Sequence, residues 1–299
     1  MKASWENQAS ESCSIKNDPV SNKSPRILIA ILSHSVGSYD MMRLEALNTC
    51  YQFPNYHSCT IPWFLFGNDR KQLDNHKFLD LVDGVGWTNF WAGINTDIGS
   101  PKHFYYNVPE SRYTLLSKTI GFFEYALSNK ASKEMGFDWD FIYRTTLGSY
   151  VDTHKLYKLC DTLQREKVYL GYKTGPFPKD ATPEEQFSYV SGSGILMSRD
   201  VVSHIYKNKD RMNYNGNRIV KPWSGDDPQK DVFLDDVEIG RALSDYCDIT
   251  EAAMPDISLD DINNPDFSIS PEEFHFHFRS SAEPRCFQAL HRKINESKF

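Results

Sequence analysis

The chain of 299 residues is long enough for one large hydrophobic core or two modest ones, and its formal net charge of -7 argues against a general nucleic-acid binder. A hydrophobic content of 40% is ordinary for a globular protein, no apolar run approaches a membrane span, and the first residues hold no signal-peptide core, so a soluble, cytoplasmic chain is expected. Six cysteines are scattered without a Cys-x-x-Cys pair, which favours free buried thiols over disulfides or a structural zinc.

Residues 1–25 are rich in Ser, Asn, Lys and Glu without periodicity and read as a disordered leader. The run "RILIAIL" from Arg26 to Leu32 has the length and continuity of a strand buried on both faces. Asp40 is placed to cap a following helix that carries Met41, Leu44, Leu47 and Tyr51. Strands follow at Pro62 to Gly67 and at His103 to Val108. Ser111 to Asn129 is the clearest helix, with Leu116, Ile120, Phe123 and Leu127 at helical spacing.

"DWDFIYRTTLGSYVD", Asp138 to Asp152, reads as a buried strand that ends in Arg144, Thr145 and Thr146 before a Gly-Ser turn. A helix around Leu156, Leu159 and Leu163 leads to the strand "VYLGYKT". Alternating strands and helices predict an α/β fold, a mostly parallel central sheet flanked by helices. Ligands on such sheets bind beyond the carboxyl ends of the strands, where Arg144, Thr145 and Thr146 lie.

The second half is less regular. "FSYVSGSGILMS" is strand-like, and Ser198 can cap the short helix "RDVVSHIYKN". Asn208 to Asp231 reads as a long polar loop, "LDDVEIGRALSDY" as a helix opened by acidic residues, and Asp256 to Pro271 as a second, acidic loop. "EEFHFHFRSS" alternates like a strand, with His275, His277 and Arg279 on one face and Phe274, Phe276 and Phe278 on the other.

Four constellations could carry chemistry. Asp235, Asp236 and Glu238 stand at a helix start, where they either serve the helix dipole or supply a general base. Gly192 and Gly194 interrupt a strand and mark a close approach, to a ligand or to a neighbouring helix. Lys118 breaks an apolar helix face as a snorkelling surface lysine or as a cation directed at a phosphate or the acidic cluster. A His-x-His pair plus a carboxylate can hold a metal, although such a pair on an exposed strand face is usually solvated.

In order, "RILIAILSH", "WFLFG", "VPESRYTLLSKTIGFFEYAL", "DWDFIYRTTLGSYVD", "FSYVSGSGILMSRDVV", "DDVEIGRAL" and "FHFHFR" resemble the fringe-like and β1,3-galactosyltransferase-like glycosyltransferases. The resemblance is closest to their soluble microbial and viral branch and covers about Arg26 to Ser281. It implies a GT-A fold in a single domain, 26–281, with a nucleotide-sugar-binding half (26–152), an irregular acceptor-binding and catalytic half (153–281) and a C-terminal tail (282–299). It also implies inverting transfer of a sugar from a nucleotide donor, usually a uridine diphosphate sugar, to a hydroxyl of a glycan or glycoconjugate. The other reading is a catalytically silent relative that binds glycan or nucleotide.

Carried over by position, Asp236 matches the catalytic base, with Asp235 as second choice. Ser33, His34, Arg43, Lys118, Arg144, Thr145 and Thr146 form the expected donor site, and Gly192, Ser193, Gly194, Trp223 and Arg279 the acceptor and sugar pocket. His277 falls near a histidine that completes a metal site in metal-dependent members, with His275 a weaker second. Those members end the strand with an Asp-x-Asp motif for manganese or magnesium; here Thr146, Leu147 and Gly148 occupy its place, which argues against a metal cofactor. Arg144, with Lys118 or Arg279, is the expected substitute at the leaving diphosphate; alternatively Arg144 pairs with Glu110 or an acidic loop and only orders the site.

Overall fold

The computed structural model describes residues 24–33, 38–52, 57–67, 81–82, 85–87, 102–106, 115–135, 138–177, 182–212, 235–278 and 284–296. Most of the leader, with His34, Trp223 and Arg279, lies outside them.

β1 (Ile27–Leu32) is buried along its whole length. Ile27, Ile29 and Ile31 enter the core on one face of the sheet, and Leu28, Ala30 and Leu32 the core on the other. Its continuous apolar run therefore reflects two covered faces. β1 pairs in parallel with β2 (Thr60–Gly67) on one side and β6 (Phe141–Thr146) on the other. Beyond β2 lie β5 (Lys102–Tyr106), β4 (Val85–Trp87) and β3 (Leu81–Val82). Beyond β6 lie β9 (Phe187–Ser198), β8 (Tyr169–Phe177) and β10 (Thr250–Glu251). β9 runs antiparallel to both its neighbours, and the remaining pairs around β1 are parallel. The result is an α/β fold with a mostly parallel core.

One face carries α1 (Ser38–Asn48), α4 (Thr153–Thr162), α7 (Leu259–Asn263) and α8 (Pro284–Glu296). The other carries α2 (Leu115–Leu127), α3 (Asn129–Met135), α5 (Arg199–Lys207) and α6 (Asp235–Leu243). A small second sheet, β11 (Asp256–Ile257), β12 (His275–Phe278) and β7 (Ser149–Val151), packs beside the first core.

Several expectations change. The tail after Ser281 contains α8, which buries Cys286, Phe287, Ala289, Leu290 and Ile294 against the core; its pattern of Phe287, Leu290 and Ile294 is amphipathic. The second acidic loop contains β11 and α7, whose start is fixed by a reciprocal Ser258–Asp261 cap. α1 begins before Asp40, and Ser198 precedes α5 without capping it: its hydroxyl donates to Asp200 at 2.5 Å and accepts from the Val168 amide at 3.0 Å. Cys50, Cys59, Cys160 and Cys286 are buried thiols outside any disulfide, and burial pushes the Cys50 thiol up to about 12.

Candidate functional site

The chain builds outward from β1 through β2 to β5, then returns to lay β6 on the other side of β1. Strand order reverses between β1 and β6, and in open α/β sheets ligands bind beyond the carboxyl ends of the strands at such a point. The register sets Leu32, Leu65 and Thr146 level at that end.

Ser33 follows β1 and is buried, its amide bound to Leu65 O at 3.0 Å. Lys118 is no surface lysine: it is 1% exposed, and its ammonium donates to Ser33 O at 2.9 Å, tying α2 to the end of β1. Arg43 of α1 is buried with its guanidinium carbon 5.5 Å from the Phe66 ring centre, near the end of β2. Two cations therefore stand at the carboxyl ends of β1 and β2. The hydroxyl of Ser33 is buried there without a hydrogen-bond partner among the described residues.

A second cluster joins β6, β9 and the first turn of α6. Arg144 is 1% exposed and lies level with Ala30, two residues inside the end of β6. It donates to the carboxylate of Asp235, with which it forms a buried ion pair, and to the carbonyl of Gly192. The partner is thus Asp235, and Glu110 lies outside the described residues. Thr119 of α2 donates to Asp235 as well, at 3.3 Å.

Asp236 is half-buried, its carboxylate beside Gly192 near the Arg144 guanidinium. One carboxylate oxygen accepts from the Gly192 amide at 2.8 Å and the other from the Val237 amide at 2.9 Å. Burial, and then the charge of Asp235, push its carboxyl up to about 6, against the opposing pull of Arg144 and the two amides. A carboxylate poised there is suited to taking a proton near neutral pH.

The glycines explain why these elements touch. A methyl group on Gly192 would come within 2.9 Å of the Arg144 guanidinium and 3.1 Å of the Asp236 carboxylate. One on Gly194 would meet the Tyr143 hydroxyl at 2.2 Å. Gly192 therefore approaches α6 and Arg144, and Gly194 approaches the ring of a β6 tyrosine. The carbonyl of Ser193 accepts from Thr145 at 2.7 Å and Ser149 at 3.4 Å, and Thr146 and Ser149 share a hydroxyl pair at 3.3 Å. These bonds join the cluster to the carboxyl end of β6.

His275 and His277 do not share a solvated face. His275 is fully buried, its Nδ1 paired with the Tyr143 hydroxyl at 2.6 Å, because β12 is the middle strand of the small sheet and rests on β6. Burial holds it down near a pKa of about 3, and its Nε2 has no partner among the described residues. His277 is half-buried and pairs with Asp256 at 3.0 Å. Among the described residues no group of three or more His, Cys, Asp or Glu side chains gathers to hold a metal. One histidine is sealed against a tyrosine, and the described residues at the end of β6 offer the hydroxyls of Thr146 and Ser149 where the motif would have carboxylates, which does not fit its metal. Asp152 caps α4, accepting from His154 N and Lys155 N, both at 3.1 Å, while Asp138 and Asp140 lie at the amino end of β6 on Arg199 and Arg165.

Sequence reasoning passed over Thr119, Tyr143 and Gly240. Thr119 directly follows Lys118, which was a signal; Gly240 closes the same "DDVEIG" stretch and lets α6 lie on β9 at Tyr189. No helix among the described residues is long and apolar enough to cross a membrane. A comparison with protein-family models and with curated proteins finds no significant match.

Proposed function

We propose that this chain is an inverting glycosyltransferase of GT-A type that transfers a sugar from a nucleotide donor, of the uridine diphosphate class, to a hydroxyl of a glycan or glycoconjugate. The observation that carries the reading is Asp236: a half-buried carboxylate, held by two backbone amides and raised to about 6, beside β9, the strand next to the β1–β6 switch point. The motif series from "RILIAIL" to "FHFHFR" adds to it. So does the sheet, with its parallel half around β1 and an irregular half that begins with the antiparallel β9.

In this reading the nucleotide diphosphate lies over the carboxyl ends of β1 and β2, where Lys118, Arg43 and the Ser33 hydroxyl face negative charge. Asp236 removes the proton of the acceptor hydroxyl, whose oxygen forms a bond to the anomeric carbon. The bond from that carbon to the diphosphate oxygen breaks, and its electron pair leaves with the diphosphate on the opposite face. No step passes through a metal.

The test is a panel of nucleotide sugars scored for donor hydrolysis and transfer. Asp236→Asn should lower turnover by about 10²–10⁴-fold in a chain that still unfolds in one cooperative transition. Donor binding without hydrolysis or transfer across the panel overturns the enzyme reading and leaves the silent one.

A further inference from the structure

Arg144 is expected from the sequence at the leaving diphosphate, yet the fold buries it in mid-sheet, level with Ala30, with two guanidinium nitrogens already engaged. We propose that Arg144 and Asp235 form a positioning pair that holds Asp236 in place as the base, a role that rests on the glycosyltransferase reading above.

Two connections carry it. Arg144 grips the carbonyl of Gly192, whose amide donates to Asp236 at 2.8 Å. It also grips Asp235, the residue next to Asp236 at the start of α6. The planar fork spans a strand carbonyl and a helix carboxylate at once, so β9 and the first turn of α6 are drawn together with Asp236 between them. A lysine delivers its charge from one point and cannot span both acceptors in that plane.

The same pair sets the charge that Asp236 feels. Asp235 and Glu238 share its helix, and Glu238 is matched by Arg241 at 3.3 Å. Arg144 faces it from β6, and the Tyr169 and Tyr189 phenols interact with it from β8 and β9, both pushed upward by burial and so uncharged at neutral pH. Removing the Arg144 cation leaves the Asp235 charge uncompensated and must raise the proton affinity of Asp236. Removing the Asp235 charge must lower it.

Opposite shifts in two variants are the signature, since general loosening of the fold would not change sign between them. The full chain, carrying aspartates labelled with carbon-13 at the side-chain carboxyl, is titrated by NMR, and the Asp236 resonance is assigned by its loss in Asp236→Asn. Arg144→Met should raise the midpoint from about 6 by about one pH unit, Asp235→Asn should lower it by a similar amount, and Arg144→Lys should fall between Arg144→Met and the parent. With a uridine diphosphate sugar, Arg144→Met should lower kcat by about 10²-fold while the donor KM stays within about twofold. Midpoints that stay in place in both variants overturn the positioning pair; so does a rise in donor KM with an unmoved midpoint, which makes Arg144 a diphosphate ligand. If Arg144→Met fails to fold, Asp235→Asn and Arg144→Lys decide by the same criterion. The titration needs no turnover, so a parent chain without transfer or hydrolysis overturns the catalytic reading, whereas unmoved midpoints overturn the pair alone.

Discussion

Gly240 is one helical turn beyond Asp236 and provides a sharp test of how α6 is held. In an ordinary helix interior, Gly→Ala stabilises by about 1 kcal/mol through backbone entropy. Here a methyl group would lie 2.3 Å from Tyr189 Cβ and 3.0 Å from Tyr189 Cα, atoms that no rotamer change can move aside. Carbon atoms pack at about 3.5 Å or more, so α6 must retreat from β9 by about 1.2 Å. A retreat of that size stretches the 2.8 Å bond from the Gly192 amide to Asp236 beyond hydrogen-bonding range. Overpacking of this kind costs about 1–3 kcal/mol, enough to reverse the usual sign. Displacement of the base should lower turnover by about 10²-fold. Urea denaturation with the midpoint and slope fitted separately, together with a transfer assay, measures both effects. A Gly240→Ala chain as stable as the parent and fully active would refute the packing of α6 on β9.

Activity of the parent should rise through a midpoint near pH 6 as Asp236 loses its proton, and this limb should vanish from the residual rate of Asp236→Asn. The same group opposes folding on the basic side: its folded value lies above the ordinary 3.8, so its contribution to stability is full below 3.8 and is lost as pH rises through about 6. Donor turnover should persist in EDTA, because β6 ends in Thr146 rather than in carboxylates; complete loss restored by manganese would refute this. Tyr143→Phe leaves Nδ1 of the buried His275 unpaired and should cost about 1–3 kcal/mol in urea denaturation; a change below about 0.5 kcal/mol would show that the contact carries no weight.

Much of the fold was legible because period and burial are linked within single elements. β1 is apolar at every position since both faces are covered, and β9 from Phe187 to Ser198 coincides with the predicted strand. α2 shows its apolar face at Leu116, Ile120 and Phe123. α8 is legible too, in Pro284 at its first position and the spacing of Phe287, Leu290 and Ile294, although the family resemblance ends before it at Ser281. Within the candidate site, the acids at the start of α6 and the glycines of β9 stood out as residue types in unusual places.

Their partners did not. Asp235 lies 91 residues from Arg144, and His275 lies 132 from Tyr143; strand order alone brings each pair together. Whether Arg144 faced a diphosphate or an aspartate depended on how far inside the sheet the β6 register placed it. The amino-acid sequence by itself determined the longer strands, five helices and the acidic turn, because those follow from local periodicity and capping; the short strands β3, β4, β7, β10 and β11 exist only through their pairing. Only the tertiary structure decided that Arg144 and Asp235 close on each other around Gly192, because a buried charge takes the partner that the packing of distant elements leaves within reach.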